Sequence, residues 1–340
     1  MPSVDSITHK LQAKAEELEF DACAVAPAQA LEHGDYFLEW LREDKHGEMH
    51  WLAREPERRL DPSILLPGAH SIVVLGLNYY QPQPERRGAI ATYALGQDYH
   101  TLFLEKTEAL AAWLTQQGGA AKCYVDTGPL LEKPIARLSG IGWQGKSTML
   151  IHPKMGTWLF LGFILTTLKL EANQPMHDHC GSCTRCIVAC PTRAITAPYQ
   201  LDARRCIAYL TIEHKGPIPL EWRRAIHDRL YGCDDCLTAC PWNRWARLSR
   251  HTQFHARAYP DLQKMLAWNE ADFRAAFAGT AILRLKLNRW LRNVSVVLGN
   301  IGSLDDIPSL QKAICRPEPL VAEHAAWAIE EIETRHRRPV

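Results

Sequence analysis

The sequence predicts an α+β protein built from three consecutive parts. Helical periodicity alternates with short apolar runs over residues 1–172, where 72–77 (IVVLGL) has the length and β-branching of a buried strand. Eight cysteines are concentrated between Cys180 and Cys240, and helical patterns dominate from residue 262 to residue 335. We therefore expect an α/β domain at 1–172, a cysteine-rich domain at 173–245 and a helical domain at 246–340.

Within the first domain, the pattern of apolar residues gives the order of the elements. Apolar positions at helical spacing predict helices at 6–19, 35–54, 101–117 and 129–139. Apolar runs bounded by turn residues predict strands at 22–26, 72–77 and 121–125. The alternation over 147–168 favours two strands of a hairpin around residues 154–156.

The composition is that of an ordinary globular protein. Of 340 residues, 46% are hydrophobic and 23% are charged, and 39 Lys and Arg balance 38 Asp and Glu. The first residues lack the apolar core of a signal peptide, and the longest nearly apolar stretch, 157–168, has 12 residues, too few to cross a bilayer. We expect a cytoplasmic protein without membrane contact, in which any polyanionic partner meets a local basic patch.

The cysteine runs predict two 4Fe–4S clusters. Residues 180–191 read CGSCTRCIVACP, the bacterial C-x₂-C-x₂-C-x₃-C-P pattern that holds such clusters. Residues 233–241 (CDDCLTACP) repeat the second half of that pattern, with Leu230 at the position of its first cysteine. Cys206 is the only other cysteine between the two runs, so it is the natural replacement ligand.

The spacing also assigns the ligands to two sets. Three thiolates two residues apart bind one cluster, whereas the fourth thiolate, followed by proline, ligates the other cluster. The first set is Cys180, Cys183, Cys186 and Cys240, and the second set is Cys190, Cys206, Cys233 and Cys236. Zinc sites take paired C-x₂-C units at longer separation, and dense disulfides belong to small secreted domains, so both alternatives fit less well.

Asp126 is the candidate acid of the first domain. It directly follows the predicted strand 121–125, and α/β sheets place their chemistry at strand ends. The residues after it, 127–130 (TGPL), equally suit the start of a helix. A catalytic acid, a solvated carboxylate and a helix-capping carboxylate therefore all stay open at this point.

The segment 140–147 (GIGWQGKS) matches the phosphate-loop pattern G-x₄-G-K-S. That motif must leave a strand and open a helix, so that the helix N-terminus faces the phosphate. Here the run leaves the predicted helix 129–139 and enters predicted strands. We expect no nucleoside triphosphate, although the glycines allow another large cofactor to approach the backbone.

The charge becomes uneven after the cysteine runs. Between residues 242 and 292, ten Lys and Arg stand against three acidic residues, and tryptophans lie among them at 242, 245, 268 and 290. Basic segments with interleaved aromatic residues are typical of RNA recognition. A solvated helix face with core tryptophans explains the same pattern, so both interpretations stay open. The candidate RNA-binding residues are Arg244, Arg284, Lys286, Arg289 and Arg292.

Taken together, these segments resemble the epoxyqueuosine reductase family over nearly the whole chain. The likeness is carried by both cysteine runs and by HGEM (46–49), LLPG (65–68), YALGQDYH (93–100), VDTGPLLE (125–132), GIGWQGK (140–146), YGCDDC (231–236), PWNR (241–244) and RWLRN (289–293). Coincidence at so many separate places is implausible.

The resemblance implies a fold, a reaction and partners. It implies a nitroreductase-like α/β domain that binds cobalamin, a bacterial ferredoxin-like domain with two 4Fe–4S clusters, and a C-terminal HEAT-like helical domain that helps to grip tRNA. The implied reaction reduces the epoxide of epoxyqueuosine in the tRNA anticodon loop to queuosine. Electrons would pass from an unidentified low-potential donor through the clusters to cobalamin, in a protein expected to be a monomer.

The resemblance also implies roles for single residues. Asp126 would donate a proton beside the cofactor, whose apolar surface would raise the pKa of that carboxyl. Arg59, Gly145, Lys146 and Leu150 match family positions near the corrin. Many cobalamin enzymes bind cobalt through a histidine in an Asp-x-His-x-x-Gly loop. His100 lacks that glycine, so we expect a structural role for it.

Two other functions fit part of the pattern. Respiratory-type reductive dehalogenases share a corrinoid and two clusters, but they carry export signals and no RNA-gripping tail. A ferredoxin-type electron-transfer module without catalysis would have no use for residues 1–172. The sequence therefore favours the tRNA-modifying reductase over both.

Overall fold

A computed structural model of the chain describes residues 4–32, 34–85 and 87–337, with the backbone alone for residues 4–6. The α-helices are α1 (Val4–Glu17), α2 (Gly34–Arg42), α3 (Pro56–Leu60), α4 (Tyr99–Gln116), α5 (Glu132–Leu138), α6 (Arg185–Ala189), α7 (Ile207–Ile212), α8 (Leu220–Ile226), α9 (Asp235–Thr238), α10 (Leu262–Leu266), α11 (Glu270–Phe277), α12 (Leu287–Ile301), α13 (Ile307–Ile314) and α14 (Pro319–Arg337). The β-strands are β1 (Ala22–Pro27), β2 (Ser71–Asn78), β3 (Ala89–Ile90), β4 (Ala121–Tyr124), β5 (Trp143–Gln144), β6 (Leu150–Ile151), β7 (Leu159–Thr166), β8 (Ile195–Ala197), β9 (Gln200–Leu201) and β10 (Arg229–Tyr231).

A four-stranded sheet in the order β1-β2-β7-β4 forms the centre of the first part. Every neighbouring pair is antiparallel, so the mixed α/β content expected from the sequence is confirmed, but on an antiparallel sheet. β2 and β7 lie in the middle and pair from Ser71 opposite Thr166 to Asn78 opposite Leu159. Both strands are almost wholly buried, which is why their sequences read as continuous apolar runs without alternation.

Helices cover both faces of this sheet. On one face, Leu11 of α1 and Phe103 and Leu110 of α4 pack in a core with residues of β2 and β7. On the other face, Ile135 and Ala136 of α5 lie in a second core. The sheet is therefore enclosed, and the loops at its ends are the places where polar side chains can gather.

The predicted boundaries at residues 172 and 245 do not separate independent cores. Ile90 and Leu95 of the first part, Ile207 and Tyr231 of the cysteine-rich part, and helices α10 to α14 share one apolar core. β10 also pairs in parallel with β3, which joins the cysteine-rich part to the first part through backbone hydrogen bonds. The three parts are consecutive in the chain, and their side chains meet in a common interior.

Beyond residue 262 the chain is helical, as the sequence predicts. The close packing of α12 against α14 depends on Gly299, because an added Cβ there would lie 2.6 Å from the ring of Trp327 and 2.9 Å from the Cα of Ala328. Within the described ranges 4–32, 34–85 and 87–337, no helix is both long and apolar enough to cross a membrane.

The single helix predicted over 35–54 is wrong, because the chain turns in the middle of it. α2 ends at Arg42, and a 3₁₀ helix follows at His50–Ala53. Gly47 has φ +58° in the turn, and a Cβ at this position would lie 2.4 Å from the hydroxyl oxygen of Tyr209. A tertiary contact 162 positions away therefore decides the turn, where the apolar pattern alone suggested a continuous helix.

Two further predictions near the glycine-rich segment also need correction. The helix predicted at 129–139 begins only at Glu132, since residues 125–131 form a loop after β4. The two strands predicted around 154–156 do not pair with each other. β6 pairs with β5, whereas β7 joins the central sheet, and a bridge between His152 and Gly156 closes the turn.

Candidate active site

Two short helices position the cysteines. α6 carries Cys186 and is followed directly by Cys190, and α9 carries Cys236 and ends at Thr238, two residues before Cys240. A proline follows each terminal cysteine, which therefore adopts extended backbone, with ψ 109° at Cys190 and ψ 123° at Cys240. Since α6 and α9 pack against each other, the chain that leaves one helix runs toward the cysteines of the other run.

The outer cysteine set consists of Cys180, Cys183, Cys186 and Cys240. These residues line a small cavity of about 40 Å³. Burial raises the pKa of Cys240, and the charges of the other three thiols raise it further. Thiols in such a place need a nearby positive centre to become thiolates. The flank of this set faces solvent, because Val188 of α6 is 81% exposed.

The inner cysteine set consists of Cys190, Cys206, Cys233 and Cys236. These residues line part of a large cavity of about 720 Å³. Burial raises the pKa of Cys233 to about 12, and it raises the pKa of Cys236 well above the usual value. The charges of the other three cysteines raise the pKa of Cys236 further. The cysteines that line each cavity are the four that the sequence spacing groups together, and their role as cluster ligands stays a prediction.

Asp126 lies on the wall of the large cavity that the inner cysteine set also lines. Its backbone has φ +54°, a left-handed conformation that residues other than glycine rarely adopt. The Glu132 carboxylate accepts a hydrogen bond from the backbone N–H of Asp126 at 3.0 Å and so supports this conformation. No side chain caps α5, so the capping interpretation of Asp126 is wrong for this part of the described chain.

His100 is the side-chain partner of Asp126. Its Nε2 lies 3.3 Å from Asp126 Oδ2, and its Nδ1 lies 2.6 Å from Asp98 Oδ1. The hydrogen bond with His100 lowers the pKa of Asp126, although burial acts in the opposite direction. This is the reverse of the rise expected for that carboxyl. Burial would lower the pKa of His100, but hydrogen bonds with Asp126 and Asp98 raise it to about 9.

The other residues predicted to contact a cofactor are spread over several places. Leu150 lines the large cavity, whereas Lys146 lines the small cavity, where its Nζ donates to the carbonyl of Gly181. Gly145 lies close to the outer cysteine set, because an added Cβ would be 3.5 Å from the sulfur of Cys180.

Arg59 of α3 is buried away from these residues. Its guanidinium donates to the carbonyl of Trp51 at 3.2 Å, and its Nε has no hydrogen-bond partner among the described residues. Among the described residues that line the two cavities, Arg59 is not found. Its contact with a cofactor stays a prediction.

Three of the candidate RNA-binding residues are exposed. Arg244 lies over the rings of Trp242 and Trp245, with its guanidinium carbon 5.9 Å and 5.0 Å from the ring centroids. Arg284 lines the large cavity and pairs with Glu213 at 2.6 Å, and its side chain is 51% exposed. Lys286 is exposed and directly precedes α12.

The prediction that Arg292 contacts RNA is wrong. Arg292 is 0% exposed, and its guanidinium donates to three backbone carbonyls between residues 210 and 216. Hydrogen bonds to a charged group contribute about 1.5–3 kcal/mol each, so this arginine stabilises the contact of α12 with the chain after α7. Arg289 likewise donates to the carbonyls of Leu285 and Ile212, and Trp290 is buried in the core. The core interpretation therefore holds for this stretch.

Sequence reasoning missed the polar neighbours of Asp126. Asp98 caps α4 by accepting the backbone N–H of His100 at 3.0 Å, which fixes His100 in the first turn of that helix. The ring of Tyr99 stacks on His100 with centroids 4.1 Å apart. The capping signal was visible in the sequence, but the pairing across 26 residues with Asp126 was not.

Two family models match the chain. The model described as "Epoxyqueuosine reductase QueG, DUF1730" matches residues 59–127, a range that contains Arg59, His100 and Asp126. The model described as "4Fe-4S double cluster binding domain" matches residues 179–243, a range that contains both cysteine sets.

Curated relatives and solved structures are similar over nearly the whole length. The epoxyqueuosine reductase of Xanthomonas campestris pv. campestris is 39% identical over 343 residues, which cover 96% of this chain and 97% of that protein. A crystal structure of epoxyqueuosine reductase with an epoxyqueuosine-modified tRNA-Tyr stem loop superposes with a TM-score of 0.90 at 31% identity, covering 97% and 91% of the two chains. The Bacillus subtilis enzyme, with its catalytic aspartate loop swung out of the active site, gives a TM-score of 0.89 at 30% identity over the same shares.

Proposed function

The chain belongs to the epoxyqueuosine reductase family of oxidoreductases, and we propose that it reduces the epoxide of epoxyqueuosine in a tRNA anticodon loop to queuosine. One observation carries this proposal. The same large cavity is lined by Asp126, which can deliver a proton, and by the inner cysteine set, which can hold a carrier of electrons. Reduction of an epoxide needs both at one place.

The balance of the reaction explains this need. When the epoxide oxygen leaves as water, two carbon–oxygen bonds break and the two carbons are left joined by a double bond. This change consumes two electrons and two protons. A site for it must therefore supply electrons from a carrier and at least one proton from a positioned acid.

The two cysteine sets fit 4Fe–4S clusters. The four cysteines of each set line one cavity, and the short helices and Cys-Pro steps support the ligand exchange typical of two-cluster ferredoxins. In the described part of the chain, no group of three or more His, Cys or acidic side chains is placed to hold a single metal ion. Clusters bound there would supply single electrons at low potential.

The large cavity also fits a corrinoid cofactor. Its volume of about 720 Å³ is within the range of cofactor sites, and its walls include the apolar side chains of Leu150, Leu159 and Phe160. A cobalamin held there would supply a strongly reducing metal centre. Of the predicted cofactor-binding residues, Leu150 and Asp126 line this cavity and would contact the cofactor, while Gly145 and Lys146 lie toward the outer cysteine set.

Asp126 is the residue that would bring a proton to the leaving oxygen. Its side chain is 50% exposed and faces the large cavity, so a substrate can reach the carboxyl oxygens. The loop that carries it is held by Glu132 and His100. The Bacillus subtilis relative is described with its catalytic aspartate loop displaced, which supports a functional role for the corresponding loop here.

The tRNA is proposed to lie across the mouth of the large cavity. Arg284 lines that cavity, and Arg244 and Lys286 are further exposed cations that can meet phosphates. A relative whose crystal structure contains an epoxyqueuosine-modified tRNA stem loop supports a tRNA partner. With a tRNA substrate we propose a cytoplasmic monomer, with nitroreductase-like, ferredoxin-like and HEAT-like parts and an unidentified low-potential electron donor.

The two rival functions are less well supported. An electron-transfer module has no need of a cavity of about 720 Å³ that carries an acid beside the inner cysteine set. A reductive dehalogenase activity is not favoured by the relatives at 36–39% identity, which are named epoxyqueuosine reductases.

Anaerobic reconstitution tests the proposal. The full chain is loaded with iron, sulfide and cobalamin and given epoxyqueuosine-containing tRNA and dithionite, and the nucleosides are then measured by mass spectrometry. Queuosine should form only when cobalamin and iron are both supplied. Zinc in place of iron, no uptake of a corrinoid, or unchanged tRNA after loading would each contradict the proposal.

Asp126→Asn tests the proton donor. The amide keeps the shape but cannot supply an acidic proton, so turnover should fall by about 10²–10⁴-fold, while iron content and corrinoid absorption stay unchanged. Asp305→Asn, at an exposed aspartate of the helical part, is the matched control and should retain full turnover. Full activity of Asp126→Asn would remove Asp126 from the mechanism.

A further inference from the structure

His100 is held at both ring nitrogens by carboxylates on different elements. Asp98, the N-cap of α4, accepts from Nδ1 at 2.6 Å, and Asp126, on the loop after β4, lies 3.3 Å from Nε2. A neutral imidazole has one N–H donor, whereas two carboxylate acceptors need two. The geometry therefore suits the imidazolium form, in which both nitrogens donate.

The surroundings of the pair add to this preference. Tyr99 stacks on His100, and its hydroxyl also contributes to lowering the pKa of Asp126. Around Asp126, Lys133 lowers the pKa of the carboxyl, while the nearby Glu132 carboxylate accepts from the Asp126 backbone. The groups that face the pair thus keep the proton on His100 and the negative charge on Asp126, and hydrogen bonds with the two carboxylates raise the pKa of His100 to about 9.

We propose that His100 is a positioning residue that stores the proton which Asp126 passes to the leaving oxygen of the substrate. The proposal deepens the proposed function and rests on it. It assigns a role to a residue that lines the large cavity and that the sequence suggested was only structural. Asp98 is included as the anchor that holds the imidazolium in place.

In the proposed relay, one proton passes from His100 through Asp126 to the leaving oxygen of the substrate. As negative charge develops on the leaving oxygen, the N–H bond of His100 Nε2 breaks and its proton forms an O–H bond with the Asp126 carboxylate. That O–H bond then breaks as the proton passes to the leaving oxygen and forms an O–H bond there. One proton leaves the imidazolium and one arrives at the substrate. His100 ends neutral, Asp126 ends as a carboxylate, and Asp98 remains charged throughout. Rebinding a proton from solvent restores the resting state.

The relay predicts a definite pH dependence. A group with a raised pKa keeps its proton below that pKa and loses it as the pH rises through it. His100 should therefore be charged at neutral pH, and turnover should decline as the pH rises through about 9. A histidine with an ordinary pKa would lose its proton already around pH 6.5.

The first experiment measures the proton itself. The full chain, with both clusters oxidised, is labelled with ¹³C at histidine Cε1 and titrated by NMR from pH 5 to pH 10. The His100 signal is assigned by its loss in His100→Gln. It should titrate near pH 9, and in Asp98→Asn it should titrate at lower pH, since asparagine keeps the helix cap but not the charge. Titration of His100 near pH 6.5 in the wild type would overturn the proposal.

The second experiment measures the pH profile of single-turnover reduction in the loaded enzyme. His100→Gln should lower the rate by about 10²-fold at neutral pH and abolish the decline near pH 9. Asp98→Asn should keep a decline but move it to lower pH. If the decline near pH 9 persists in His100→Gln, the residue is structural and the proposal fails.

A control variant accompanies these experiments, and the NMR titration separates failure of this proposal from failure of the proposed function. His227 also lies beside a carboxylate, with its Nδ1 3.1 Å from Asp228 Oδ1, but it is exposed and is not among the described residues that line the large cavity. His227→Gln should leave the profile unchanged. The NMR titration needs no turnover, so an enzyme inactive on epoxyqueuosine would contradict the proposed function while the titration still decides the state of His100.

Discussion

The outer and inner cysteine sets have the same chemistry in different surroundings. The outer set lines a cavity of about 40 Å³ beside exposed residues such as Val188. The inner set lines a cavity of about 720 Å³ that also holds Asp126, and its chain neighbours Ile207 and Leu237 are buried. The same thiol chemistry thus occurs in one place near the surface and in one place beside the large cavity.

This difference suggests a direction for electrons. A carrier close to the surface can be reduced by a partner protein, whereas a carrier beside the large cavity can act on what the cavity binds. Burial raises the pKa of thiols in both sets, to about 12 at Cys233 of the inner set. If the two sets contributed equally to every measured property, these different roles for the outer and inner sets would be wrong.

The largest effect is expected at the inner set. In Cys236→Ser the hydroxyl is a poor ligand, so the iron content should fall to about half and turnover should fall to background with any reductant. Iron analysis and the tRNA assay with dithionite measure both. Retained turnover with half the iron would show that the inner set is not the one beside the chemistry.

A smaller effect is expected for Cys183→Ser in the outer set. Iron should again fall to about half, but a small reductant such as dithionite needs no docking surface for a protein donor, so it can still reduce a carrier held by the inner set. Turnover with dithionite should therefore stay measurable, while turnover with a protein donor should be lost. Equal loss with both reductants would erase the distinction between the two sets.

The smallest effect is expected for the single cations beside the two cavities. Arg284 lines the large cavity, whereas Lys146 lines the small one. Arg284→Gln should weaken tRNA binding and reduce the slope of log affinity against log salt by about 1, as the loss of one phosphate contact does. Lys146→Gln should leave that slope unchanged. Equal slopes in both variants would contradict a tRNA path across the large cavity.

Parts of the fold and of the site were predictable because they depend on short stretches of chain. The continuous apolar runs of β2 and β7, and the long helix α4 with its Asp98 cap, follow from local pattern. The helix predicted over 35–54 failed, because the turn at Gly47 is decided by Tyr209, far along the chain. The apolar pattern had no information about that contact.

The basic segment 242–292 also combines a property that the sequence predicts with one that depends on tertiary packing. Charge counts treated Arg244 and Arg292 alike, yet Arg244 is exposed beside two tryptophans while Arg292 is fully buried among backbone carbonyls. A cation in the sequence is compatible with either place, since a guanidinium can bind a phosphate or a set of carbonyls. Only packing decides between them.

The sequence by itself determined the two groups of thiols, because two- and three-residue spacings and a following proline limit which cysteines can share a space. Only the tertiary structure decided whether the Asp126 side chain is charged. Asp126 and His100 are 26 residues apart, and their contact exists only because the loop after β4 meets the first turn of α4. Covalent spacing acts over a few residues, whereas the charge that a buried group carries depends on whatever the fold brings beside it.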